Sequence, residues 1–103
     1  KTRNITRAIN SLKEELEAVD WYNQRVEASS DEELKAIMAH NRDEEIEHAC
    51  MTLEWLRRNM DGWDEELKTY LFTSGPITSI EGQEQASDAP SNSGNGLNIG
   101  KMK

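Results

Sequence analysis

The sequence predicts an all-α fold: a two-helix antiparallel hairpin and a short third helix, forming half of a four-helix bundle that a second copy would complete. Three observations predict it. Apolar residues recur at helical spacing along the first 73 residues, and only Gly62 and no proline interrupts that stretch. The chain has 103 residues, which allows one domain at most. Only 35% of them are hydrophobic, too few for two amphipathic helices and a short one to enclose a core on every side.

The first helix is marked by Ile5, Ile9, Leu12, Leu16, Val19 and Val26, spaced by three, four and seven residues. That is the 3.6-residue period of one helical face. Ser29-Ser30-Asp31 ends it, and Ser30 with Glu33 has the spacing of a capping box for the next helix. The second helix sets Leu34, Ile37, Met38, Asn41, Glu45, His48, Thr52 and Trp55 on one stripe, and Asp61-Gly62 stops it. A short third helix is expected from about Trp63 to Phe72, ended by Gly75-Pro76. Two long helices with a tight turn between them make an αα-hairpin. The helical domain is therefore assigned to residues 1–73. Composition changes at Ser74: residues 74–103 hold both prolines, five of the six glycines and no aromatic residue. Such a segment buries too little apolar surface to offset its ordering entropy, so 74–95 is read as a flexible linker.

The chain carries 20 Asp and Glu against 12 Lys and Arg, a formal net charge of −8. That balance argues against nucleic acid as a partner, since binding needs basic surface to displace counterions. No apolar run approaches the roughly 20 residues of a membrane span. A single cysteine, Cys50, rules out an internal disulfide framework and suits a reducing cytoplasm. The opening at Lys1 has no signal-peptide pattern.

The polar residues on the apolar stripes carry the chemistry. Glu15 lies three residues after Leu12 and four before Val19, beside the face expected to be buried. Tyr22 follows on the same side. Glu45 and His48 stand at i and i+3 on the second helix and point the same way. A carboxylate facing a helix interface is unfavourable unless it is paired or ligates a metal. One Glu on one helix and Glu-x-x-His on another is half the ligand set of a di-iron carboxylate bundle, which takes two helices of each kind. The other half would come from a second copy related by a two-fold axis. Carboxylates and a neutral imidazole suit iron, and no thiolate is needed. Taken on spacing alone, the commoner meaning of Asp43-Glu44-Glu45-Ile46-Glu47 is a solvated face, with His48 a satisfied histidine. Glu14, Glu17 and Asp20 form an acidic cluster that is solvated or collects cations. Trp21, Trp55 and Trp63 read as packing residues, His40 falls off the main stripe, and Cys50 has no partners for a zinc set.

At these residues the chain resembles the encapsulated ferritins. The stretch Glu14-Glu15-Leu16-Glu17-Ala18-Val19-Asp20-Trp21-Tyr22-Asn23-Gln24-Arg25 is similar to their first helix. His40-Asn41-Arg42-Asp43-Glu44-Glu45-Ile46-Glu47-His48-Ala49 is similar to their second, and the likeness runs over about residues 7–77. The resemblance implies a ferritin-like bundle completed by dimerisation, with dimers assembling into a ring, usually a decamer. It implies a ferroxidase that oxidises Fe(II) to Fe(III) at a di-iron centre between subunits. By matching position, Glu15, Glu45 and His48 are the implied iron ligands and Tyr22 the tyrosine beside them. Glu14 and Glu17 match a site through which metal reaches the centre, often holding calcium or another divalent ion, and Trp21 matches a tryptophan near that route. Family members usually carry further residues ahead of the position of Lys1.

The last eight residues, 96–103, resemble the peptides that load cargo into encapsulin shells. Leu97, Ile99 and Met102 would fill apolar grooves of the shell protein, with Met102 where a leucine is commoner. A tether of about 20 residues reaches roughly 25 Å. The implied location is cytoplasmic, inside an encapsulin nanocompartment where iron is stored. Two other classes fit the residues less well: a non-catalytic helical scaffold or metal-sensing dimer with solvated acids, and a rubrerythrin-like di-iron peroxidase. Rubrerythrins usually carry a cysteine-rich iron site, and a single cysteine argues against that version.

Overall fold

The computed structural model describes residues 1–82. Helix α1 spans Thr2–Ala28, α2 spans Glu32–Asn59 and α3 spans Trp63–Tyr70. The described residues contain no strand. Residues 77–82, inside the segment read as linker, are also helical.

Helices α1 and α2 pack against each other as an antiparallel hairpin within Lys1–Asn59. At the end of α1 the Ser29 amide donates to the Arg25 carbonyl at 3.0 Å and the Ser29 hydroxyl at 2.6 Å. The start of α2 differs from the expected Ser30–Glu33 box. Asp31 is the cap: its Oδ2 accepts from the Leu34 amide at 2.8 Å. Asp and Ser compete closely for that role, and the turn places Asp31 one residue ahead of the first helical position. Glu32 and Glu33 in the first turn and Arg57 and Arg58 in the last complement the helix dipole. In that last turn the Glu54 carboxylate accepts from Arg57 Nε and Nη2, both at 2.8 Å, and from Arg58 Nε at 2.7 Å. Hydrogen bonds from Arg57 first, and then Arg58, hold the Glu54 carboxyl down at about 2.

The residues facing inward differ from the most apolar stripe. On α1 the less exposed line is Ile5, Ala8, Leu12, Glu15, Val19, Tyr22 and Val26. The line alternates spacings of three and four, the 3.5-residue repeat of a helix–helix seam. Ile9 and Leu16, expected on that face, lie one position beside it and are 41% and 55% exposed. On α2 the expected Met38, Asn41, Glu45, His48 and Thr52 are half-buried. Leu34, Ile37 and Trp55 are instead exposed. Among the described residues only Ala49 and Leu56 are buried hydrophobics.

The second unit begins at Met60. Gly62 precedes α3 at φ 101°, a left-handed conformation that glycine adopts without strain. The Trp63 indole N–H donates to Met60 Sδ at 3.2 Å, and Asp64 pairs with Lys68 at 3.0 Å one turn on. The helix ends at Tyr70, two residues short of the expected Phe72, because Leu71 turns extended and Phe72 adopts φ 63°.

The cap assignment makes a clear prediction. Asp31→Ala is expected to lower unfolding stability by about 1 kcal/mol, whereas Ser30→Ala stays near the parent. Urea melts of the two variants check this, and an equal loss at Ser30 would restore the capping box.

Candidate metal centre

Glu15 sits on the inward seam of α1, between Leu12 and Val19. Its Oε1 is buried and has no hydrogen-bond partner. An orphaned carboxylate oxygen in a helix interface is unfavourable by about 1–3 kcal/mol unless something binds it. The position therefore has a carboxylate able to bind a cation where packing alone favours an apolar side chain.

On α2, Glu45 and His48 occupy adjacent positions on one side of the helix. Their side chains are 27% and 45% exposed, and His48 Nδ1 stands 3.6 Å from Glu45 Oε1. At that separation they are neighbours without a good hydrogen bond. Both groups keep lone pairs available to a metal. One turn further on, the Thr52 hydroxyl donates to the His48 carbonyl at 3.2 Å.

The antiparallel register places these groups at related heights. Arg42 Nη1 of α2 donates to Asn23 Oδ1 of α1 at 3.0 Å. Counting equal steps back along α1 and forward along α2 from this bond brings Glu15 level with the segment His48-Ala49-Cys50. A shallow groove of about 340 Å³, lined by Arg7, Ala8, Ser11, Met51, Thr52 and Trp55, agrees with that pairing to within about one helical turn. Ala49, the buried residue nearest this level, is small. Among the described residues of one chain, no three Asp, Glu, His or Cys side chains converge to hold a metal ion. The donor set of Glu15, Glu45 and His48 is hard oxygen plus neutral imidazole, which fits iron chemically.

The remaining expected residues are distributed around this region. Tyr22 is half-buried on the same seam, one heptad beyond Glu15. Its ring meets Trp21 edge-on, with centroids 4.9 Å apart, and the Arg25 guanidinium lies 3.2 Å above the Trp21 ring. Glu14 and Glu17 are exposed. Asp20 accepts a hydrogen bond from Gln24 at 2.9 Å. His40, which the sequence leaves without a role, pairs with Glu44 at 3.2 Å on the exposed side of α2. Leu97, Ile99 and Met102 lie outside the described residues. Arg42 and Ala49 were missed by the apolar periodicity. Their signal is the spacing Met38–Arg42–Glu45–Ala49, which continues the seam through an arginine and a glutamate that no hydrophobicity scale selects.

A helical hairpin with a half-buried Glu opposite a Glu-x-x-His helix defines a ferritin-like protein. Comparison with known proteins narrows this: the chain belongs to the EncFtn-like family, the encapsulated ferritins, whose family model matches residues 1–74. It is 60% identical over 102 residues to a "Ferritin-like protein" of Thermotoga maritima, covering 99% of this chain and 88% of that one. It is 58% identical over 112 residues to an "Encapsulated ferritin-like protein" of Rhodospirillum rubrum, covering 100% and 80%. Its fold is similar to the crystal structure of protein ne0167 from Nitrosomonas europaea, with a TM-score of 0.71 and 68% identity over 74% of this chain and 84% of that one. No helix among the described residues is long and apolar enough to cross a membrane.

The orphaned oxygen yields a stability test. In metal-free buffer, Glu15→Leu is expected to raise unfolding stability by about 1 kcal/mol, the lower end of the burial penalty for a half-buried group. Added Fe(II) or Co(II) should stabilise the parent and leave this variant unchanged. Thermal melts with and without metal check both halves.

Proposed function

We propose that the chain is a ferroxidase, oxidising Fe(II) to Fe(III) at a di-iron site completed between two copies. The observation that carries this reading is the buried, partnerless Oε1 of Glu15 on the seam of α1. A carboxylate kept there against its desolvation penalty is explained by a cation that binds it. The Glu45–His48 pair on α2 supplies the remaining donor types.

One chain holds one Glu helix and one Glu-x-x-His helix, so two chains hold the complete set of a di-iron bundle. The exposed apolar side chains support a second copy. Leu34, Ile37 and Met51 on α2 are 46%, 49% and 58% exposed, and Leu16 on α1 is 55% exposed. A two-fold dimer buries such residues, and further assembly into a ring, as a decamer, follows the family resemblance.

In this reading Fe(II) is the substrate. Glu14 and Glu17 on the exposed side of α1 gather it from solution, and the same pair accepts calcium or another divalent ion. Glu15, Glu45 and His48 from both copies then bind two irons. Carboxylates that bridge two metals hold them close enough for one oxidant to take an electron from each. Two Fe(II) and two protons convert one dioxygen to hydrogen peroxide. Tyr22 orients a ligating carboxylate through its phenol. The carboxylates act as ligands, not as general acids.

An open ring has no closed cavity for mineral, so Fe(III) passes to a surrounding encapsulin shell. The name of the R. rubrum relative, an encapsulated ferritin-like protein, supports this partner. The peptide 96–103 is the attachment, with Leu97, Ile99 and Met102 as its apolar contacts.

Two experiments test the two halves of this reading. Glu45→Ala and His48→Ala are each expected to bring oxygen-dependent Fe(II) oxidation, followed by ultraviolet absorbance, down to the buffer rate. Native mass spectrometry of the parent should show a ring with two irons per dimer. Variants that oxidise iron like the parent would leave a scaffold of solvated acids as the better reading. For the attachment, a chain lacking residues 96–103 is co-expressed with an encapsulin shell protein. Loss of co-purification with the shell is expected, while ferroxidase activity persists; unchanged loading rejects the peptide's role.

A further inference from the structure

We infer that Arg42 is a positioning residue for the metal centre: through Asn23 it locks α1 and α2 in the register that sets Glu15 level with the segment His48-Ala49-Cys50. The inference rests on the di-iron reading above.

The contact itself is specific. Arg42 Nε donates to Asp43 Oδ1 at 3.1 Å, and Nη1 donates to Asn23 Oδ1 at 3.0 Å. Asp43 thus fixes one edge of the planar guanidinium, and the other edge reaches the neighbouring helix. A planar fork held at one end loses little further freedom when its other end bonds. The Arg42 side chain is 27% exposed, so its stem packs along the seam while the bond to Asn23 lies at the exposed edge. Other side-chain hydrogen bonds, such as Arg7–Asn4, Gln24–Asp20 and Arg57–Glu54, stay within one helix. They cannot set one helix against the other.

The seam needs such a lock. Its middle is made of Glu15, Val19, Glu45, Ala49 and Thr52. Small and polar side chains there interdigitate weakly and discriminate poorly between sliding positions. A polar residue in a helix–helix seam is the usual device for specifying register at some loss of stability. Arg42 occupies such a seam position, four residues after Met38 and three before Glu45. Glu15 lies eight residues before Asn23, and Cys50 eight after Arg42, so Arg42 fixes the height of the Glu15 carboxylate relative to His48. Metal ligands must hold their places within about 0.5 Å, so a small slip of one helix is felt by the site before it is felt by the fold.

The test is a cycle of Arg42→Ala, Asn23→Ala and the double variant, with Arg42→Lys as the conservative replacement. Each is titrated with Co(II) alone, read by its visible d–d bands, and helicity is followed by circular dichroism. Each single alanine variant is expected to weaken Co(II) binding about tenfold, the scale of one hydrogen bond from a charged donor. The double variant should lose no more than either single, because both remove the same bond. Arg42→Lys should recover only a small part of the loss, because one ammonium cannot hold Asp43 and Asn23 at once as the planar fork does. Asn23 is exposed, so its replacement keeps the test available if Arg42→Ala does not fold. Singles that bind Co(II) like the parent, losses that multiply in the double variant, or a lysine that binds like the parent would each overturn the inference. A parent that binds no Co(II) at all overturns the di-iron reading and takes this inference with it.

Discussion

A carboxylate oxygen without a partner inside a helix–helix seam is the constraint around which this protein is arranged. Glu15 could be apolar at no loss to the hairpin, since Leu12 and Val19 flank it on the same line. Keeping an acid there lowers stability, so the seam is shaped for something other than its own cohesion. The surrounding residues agree: Glu45 and His48 are polar where packing asks for neither.

The second consequence is a shortage of core. A hairpin of two long helices can bury only one stripe from each, and here that stripe is interrupted by polar groups. The large apolar residues Ile9, Leu16, Leu34 and Ile37 lie beside the seam rather than in it. In the proposed assembly these residues bury against other copies, and the fold borrows from its neighbours both the core and the ligands it lacks. Metal, dimer and stability then become linked quantities, since whatever binds the assembled state draws the chain toward it.

Much of this was legible in the sequence. Both long helices and the turn between them followed from spacing, because 27 and 28 residues of uninterrupted helical pattern leave little ambiguity. The Glu-x-x-His pair was legible for the same reason, since i and i+3 must share a face. The seam was less so. Hydrophobicity favours Ile9 over Ala8 and Leu16 over Glu15, yet Ala8 and Glu15 are the ones that face α2. A period of 3.6 and a period of 3.5 diverge by only about 20° per heptad, too little to decide between neighbouring positions in one helix. Which of two adjacent stripes faces the partner helix is settled by the packed pair, not by either strand of sequence. The choice between Ser30 and Asp31 as cap had the same character: both can do it, and turn geometry selects one.

Arg42 shows why the residues that organise a site can be the hardest to read. Its neighbours in sequence are Asn41, Asp43, Glu44 and Glu45, a run that looks like ordinary solvated surface. Its significance comes from Asn23, nineteen positions away, and no local pattern reports that distance. In a chain with eight more acids than bases, a guanidinium between two helices also has a second effect. It is drawn to Asp43 rather than to Glu45, and in the proposed site a cation held by its own acid does not compete with iron for the Glu45 carboxylate. The same pairing that orients the fork therefore leaves Glu45 free, so orientation and ligand availability are met by one arrangement of charge.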